Sequence, residues 1–215
     1  MIPFARIVKY GNTSYDNPNK IISVLQNQMH DFVVKSSNIN VTPTNFVTSQ
    51  NNAIQFPASG YLQIGSGGVP SVFSIGNSTN FVIESNVYLT STATQILVGN
   101  LNNNLGTGSY WVTLNNVFGA ASQISLDGYS TTGSVQRFRF GVGSTKLPIN
   151  TWFKIKLQRV GTNLSFWLND VQIGTSQVMS LGFSSSSNTL RIGNSTDNAI
   201  PLIGIIDNYR MTMSV

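Results

Sequence analysis

From residue 52 onward, apolar residues in this chain recur at alternate positions, in short runs separated by Gly, Asn, Asp, Ser and Pro. FVIESNVYL, Phe81 to Leu89, sets Phe81, Ile83, Val87 and Leu89 against Glu84, Asn86 and Tyr88. TQILVGNL, YWVTLNN, SQISLDGY and VQRFRFGVG follow, each bounded by turn-forming residues. Side chains alternate across a strand, so this period of two predicts half-buried β-strands. No segment after residue 50 sustains helical periodicity, and the regular spacing of the runs predicts a sandwich or barrel.

The most regular stretch is LPINTWFKIKLQRVGTNLSFWLNDVQIGT, Leu147 to Thr175. Phe153, Ile155 and Leu157 share one face, opposite Trp152, Lys154 and Lys156; after a turn at 160–163, Leu164, Phe166 and Leu168 align again. Asn169-Asp170 suits a two-residue hairpin turn, because both residue types tolerate positive φ. The expectation is a three-stranded meander with one core face, and with Trp152 and Trp167 covered on the other. Residues 1–50 are less regular. Asn17-Pro18-Asn19 predicts the start of a short helix carrying Ile21, Ile22, Leu25 and Met29 on one stripe. The segment reads either as an arm that docks on a partner or as the first strand and connection of the same domain.

In this order, FVIESNVYL, the 147–175 meander, LRIGNS and GIIDNYRM resemble the laminin-G-like, concanavalin A-like family over roughly residues 52 to 215. The resemblance implies an all-β, two-sheet antiparallel jelly roll at 51–215, preceded by an N-terminal arm at 1–50. Departures from the family pattern are Asn86 in place of a common Trp, Asp170 in place of a turn Gly, and Asn208 in place of a second acid. This architecture hosts lectins, hydrolases, adhesion modules and virion parts, so fold alone does not assign function.

Composition narrows the chemistry. Charged residues are 9% of the chain, hydrophobic residues 40%, and cysteine is absent, which excludes disulfides, thiol catalysis and thiolate metal sites. Net charge is +5, from twelve Lys and Arg against seven acids, but without a basic run that would point to nucleic acid. Nothing approaches the length of a signal-peptide core or a membrane span. The chain is therefore expected to be made in the cytoplasm, without membrane insertion.

Glycoside hydrolysis needs two carboxylates flanking one bond. Glu84 is the only glutamate, and no second acid shares its strand. His30 is the only histidine, and GSGGVP at 65–70 runs into loop rather than helix, so neither a triad nor a P-loop is indicated. The chain is read as non-enzymatic and without a cofactor. Calcium binding would fall to Asp127 and Asp197, read as loop residues better explained by Asx turns. Asp207, sharing a face with Ile205, Tyr209 and Met211, is read as inward. Glycan contact would fall to Tyr129, and to Tyr110 and Trp111 beside a Gly/Asn-rich loop. Arg137, Arg139, Lys154 and Lys156 would form one basic surface for an anionic partner if their strands share a sheet. IGNST occurs at 75–79 and at 192–196, too short to mark a repeat, and its sequons are expected to be unglycosylated.

Together these readings lead to an expectation of a bacteriophage virion protein, either a capsid decoration or a tail-associated adhesin. Its partners would be other virion proteins, further copies of itself and a host-surface glycan. A carbohydrate-binding, lectin-like module is the alternative.

Overall fold

The computed structural model describes residues 20–24, 32–34, 41–44, 47–50, 53–56, 60–64, 73–101, 110–117, 120–184 and 187–214. Among these, two antiparallel sheets face each other as a β-sandwich of jelly-roll type. One sheet runs β14 (Val171–Gln172), β13 (Asn163–Leu168), β12 (Trp152–Val160), β7 (Asn80–Leu89), β17 (Gly204–Ser214), β1 (Lys20–Val24) and β2 (Phe32–Val34). Off this path, β15 (Gln177–Val178) pairs with β13, β5 (Ala53–Phe56) shares an edge of β17 with β1, and β4 (Val47–Gln50) pairs with β5. The other sheet runs β11 (Val135–Phe140), β10 (Ser122–Tyr129), β9 (Tyr110–Asn116), β8 (Gln95–Gly99), β16 (Leu190–Ile192), β6 (Tyr61–Ile64) and β3 (Val41–Thr44).

The alternation read from the sequence is what builds the core. Ile83, Val87, Ile155, Leu157, Leu164 and Phe166 meet Val112, Leu114, Ile124, Leu126, Phe138 and Phe140 of the opposite sheet in one continuous cluster. The Phe140 and Phe166 rings sit 6.1 Å apart and tilted, a favourable aromatic geometry that ties the sheets together. The predicted meander is present: Val160 pairs with Asn163 around Gly161-Thr162, and β14 returns along β13. Asn169 and Asp170 both adopt positive φ, at 50° and 63°, as a type I′ hairpin requires.

Two expectations change here. Lys20–Val24 is not helical; it is β1, pairing Ile22 with Met211 of β17. The β-branched Ile21, Ile22 and Val24 suit a strand, and the edge of β17 supplies backbone partners that a helix would not use. Residues 17–19 and 25–31, with Met29 and His30, lie outside the described residues, as does the 65–70 segment.

The second change is at Asp207. Register along β17 and β7 steps from Asp207–Asn86 to Arg210–Glu84, so three residues of β17 span two of β7. This is a β-bulge, with Asn208 at φ 51°. The extra residue reverses the alternation: Ile206, Tyr209 and Met211 are buried, while Ile205 and Asp207 share the outer face. The inward reading of Asp207 fails because simple alternation does not anticipate the bulge.

The inner end of β12 holds a residue the sequence reading passed over. Arg159 is fully buried in a position alternation reserves for an apolar side chain. Its guanidinium donates to the carbonyls of Gly76 (2.8 Å), Thr79 (3.2 Å) and Met179 (3.0 Å), and to that of Asn77. Burial pushes its pKa down. Four carbonyl dipoles take the place of a counter-ion, and the side chain clasps the 76–79 turn to the meander.

Candidate functional site

The four proposed basic-face residues do not form one surface. Arg137 and Arg139 lie on β11 in one sheet, and Lys154 and Lys156 on β12 in the other, because the chain crosses between sheets at 141–151. Their outer faces point away from each other across the sandwich. On β11 the arginines sit opposite Asp127 and Ser125 of β10, pairing Asp127 with Arg137 and Ser125 with Arg139.

Asp127 is a strand residue, 3% exposed, and not a loop residue. Its carboxylate accepts from Ser125 Oγ (2.7 Å) and Asn116 Nδ2 (3.4 Å). Ser125 Oγ is in turn 2.6 Å from Thr113 Oγ1. Burial pushes the Asp127 carboxyl above its ordinary range, opposed by the Ser125 hydrogen bond and the two arginines. This polar row is internal to β9, β10 and β11. Asp197 closes an Asx turn, accepting from Ser195 Oγ (2.6 Å) and from the Ala199 amide. The two carboxylates thus serve separate local networks, and among the described residues no three His, Cys, Asp or Glu side chains are grouped to hold a metal.

The aromatic candidates are also redistributed. Tyr110 is fully buried; its hydroxyl donates to the Phe73 carbonyl at 3.1 Å, and its ring stacks on Phe183 at 5.7 Å. Trp111, 2% exposed, belongs to a second apolar cluster with Ile96, Leu101 and Ile200. Neither is a surface contact, because both faces of β9 are covered. Gly99 makes room for Trp111: a Cβ there would lie 2.5 Å from the Trp111 Cβ. Tyr129 ends β10 rather than standing in a loop, and its half-buried ring packs against this second cluster.

The face read as covered is the one that opens. Trp152 is 48% exposed on the outer side of β12, and its ring lies 5.6 Å from that of Tyr88 at 56°. Trp167 is half-buried beneath Lys156, whose Nζ sits 4.2 Å from the ring centroid. Beside Trp152 lies an open pocket of about 600 Å³, lined by Ala53, Asn86, Trp152, Lys154, Asn169, Ile205 and Asp207. It spans β5, β17, β7, β12 and the Asn169-Asp170 turn, with the bulge presenting Asp207 to it. Asn86 presents a short amide to it.

The electrostatics of this pocket are simple. Lys154 Nζ is 2.8 Å from Asp170 Oδ1, which holds the lysine above and the aspartate below their ordinary values. Asp207 accepts from the Asn208 amide N–H (2.8 Å) and side-chain Nδ2 (3.0 Å). Asn169 Oδ1 accepts from the Lys154 amide at 2.8 Å, leaving its NH₂ directed away as a donor. On the same face Glu84 faces Arg210 at 3.5 Å.

No protein-family model and no curated protein sequence matches the chain. Solved structures do. The binding domain of botulinum neurotoxin serotype D aligns at TM-score 0.60 and 16% identity over 91% of this chain and 47% of that one. The binding domain of Paraclostridial Mosquitocidal Protein 1 aligns at 0.53 and 12% over 91% and 47%. Domain 4 of an extracellular arabinanase from Geobacillus stearothermophilus, solved in complex with arabinotriose, aligns at 0.50 and 13% over 91% and 82%. The likeness is one of fold. The chain spans about half the length of the two toxin binding domains, and at such identities the positions of their functional residues do not transfer.

Proposed function

We propose that this chain is a non-enzymatic binding module that holds a carbohydrate in the pocket beside Trp152. The observation that carries the reading is the half-exposed indole of Trp152 at the wall of an open pocket whose other polar walls are amides, an ammonium and a carboxylate. An aromatic platform with a few fixed polar groups is the usual chemistry of a sugar site. Placement of a similar sandwich in toxin binding domains and in an arabinotriose complex is in keeping with it. The absence of an enzyme activity is supported by the sole glutamate, Glu84, facing Arg210 rather than a second carboxylate.

The test is a glycan array followed by Trp152→Ala. Stacking of an aromatic surface on a ligand ring contributes on the order of 1 kcal/mol or more, so the variant should bind at least about fivefold more weakly with an unchanged melting temperature. Undiminished binding by the variant would remove the pocket from consideration. Carriage on a bacteriophage particle is a separate proposal resting on the neutral, Asn/Ser/Thr/Gly-rich composition. Mass spectrometry of purified particles decides it, and absence from them discards it without touching the pocket.

A further inference from the structure

Resting on that reading, we infer that the pocket selects neutral sugars over anionic ones, with Asp207 as the residue that determines the specificity. The inference begins at the bulge. Ser85 is an inward-facing polar side chain on β7, 2% exposed. Its hydroxyl lies within hydrogen-bond distance of the Asp207 carbonyl (2.9 Å) and the Asn86 carbonyl (3.0 Å). The single hydroxyl proton is shared between its own strand and the bulge residue, and its donation to the Asp207 carbonyl ties the bulge to β7. Asn208 takes the left-handed conformation the bulge requires and donates twice to the Asp207 carboxylate. Backbone and side-chain contacts thus converge to aim one carboxylate outward into the pocket, where alternation would have buried it. Bulges commonly re-aim a side chain in this way beside binding sites.

What that carboxylate offers is acceptor capacity. An ionised carboxylate has about four lone-pair sites, and Asn208 uses two. The remaining two match a pair of adjacent hydroxyls on a pyranose lying against Trp152. The amide of Asn86, the register partner of Asp207 on β7, and the NH₂ of Asn169 supply donors in the same pocket.

An anionic sugar meets a different balance. Lys154 is already paired with Asp170, Lys156 lies over Trp167, and Arg210 faces Glu84. Every cation the structure describes on this stretch of the face is engaged, whereas among the described residues Asp207 takes part in no ion pair. A uronate or sialic acid carboxylate would therefore face a fixed like charge. Two like charges about 4 Å apart repel by about 1 kcal/mol even in water, which is a factor of roughly five to ten in affinity.

The experiment compares matched pairs of methyl glycosides, glucoside with glucuronide and galactoside with galacturonide. Saturation-transfer NMR and tryptophan fluorescence are read with wild type, Trp152→Ala and Asp207→Asn. The inference expects at least one neutral member to bind about five- to tenfold more tightly than its uronate, with Trp152→Ala abolishing the signal. In Asp207→Asn, the neutral sugar should weaken about tenfold, as expected for loss of a charged hydrogen-bond acceptor, and the preference over the uronate should vanish. Circular dichroism and the melting temperature confirm that the variant is folded. A uronate bound as tightly as its neutral partner, still dependent on Trp152, would overturn the selectivity and leave the proposed site intact. An Asp207→Asn variant that retains the neutral preference would overturn the role of Asp207. No binding of any member by wild type would overturn both the selectivity and the proposed function.

Discussion

Two buried charges show how differently a single residue enters this fold. Arg159 is held by carbonyls at 2.8–3.2 Å at the end of an otherwise apolar strand face. Removing its donors leaves buried carbonyls unsatisfied, at about 1–3 kcal/mol for each group stranded. Arg159→Met, which preserves the stem but not the donors, is expected to lower stability by about 3 kcal/mol in urea unfolding; a loss below 1 kcal/mol would refute the clasp. Asp127 is the opposite case. Burial raises its carboxyl pKa in the folded state, so the folded chain holds that proton more tightly than the unfolded one. The stability this contributes is present below the unfolded carboxyl pKa and is lost as pH rises through the higher folded value. Asp127→Asn should therefore gain on wild type as pH climbs from acid towards neutrality, with the difference flat above the folded value. Parallel urea midpoints for the two proteins across that range would contradict the assignment. Neither residue was visible as a buried charge in the sequence: Arg159 reads as the polar end of a strand, and Asp127 as part of a turn.

At the scale of elements, the meander and the bulge make separate demands on backbone geometry. Asp170 sits at φ 63°, in the region glycine adopts without strain. Its ion pair with Lys154 is solvent-exposed and worth little, whereas relief of a left-handed residue is worth about 1 kcal/mol. Asp170→Gly is thus expected to raise stability by about 0.5–1 kcal/mol; a fall in melting temperature would show the ion pair to be the stronger term. The bulge of β17 depends on Ser85. Ser85→Ala removes the one hydroxyl donor shared between the Asp207 and Asn86 carbonyls and should cost about 1 kcal/mol. If the hydroxyl positions Asp207, the same variant should also weaken sugar binding, which a purely stabilising role would not do. The hairpin turn was legible from two residues with known conformational tolerance. The bulge was not, because Asp207-Asn208 has the same tolerance but lies inside a strand-length run, where only the register with β7 shows that a residue is extra.

The whole molecule depends on contact between the sheets, most visibly where Phe140 meets Phe166. Phe166→Ala is expected to destabilise by about 3–5 kcal/mol, through lost burial and the cavity it leaves. Tryptophan fluorescence and far-UV circular dichroism should still report one shared transition, since the two sheets bury a common core. Separate transitions would mean that the sheets fold independently.

The sequence by itself determined the strand character of the chain, the inward residues of the meander, and the turns at 160–163 and 169–170. Those properties follow from alternation and local backbone preference, which act over a few residues. Only the tertiary structure decided which strands share a sheet, and so separated Arg137 and Arg139 from Lys154 and Lys156. It also covered the outer face of β9, burying Trp111, turned Tyr110 into the core between the sheets, and left Trp152 open. The bulge turned Asp207 outward. Each of these depends on partners far away along the chain, and a period of two in one strand says nothing about what lies above its other face.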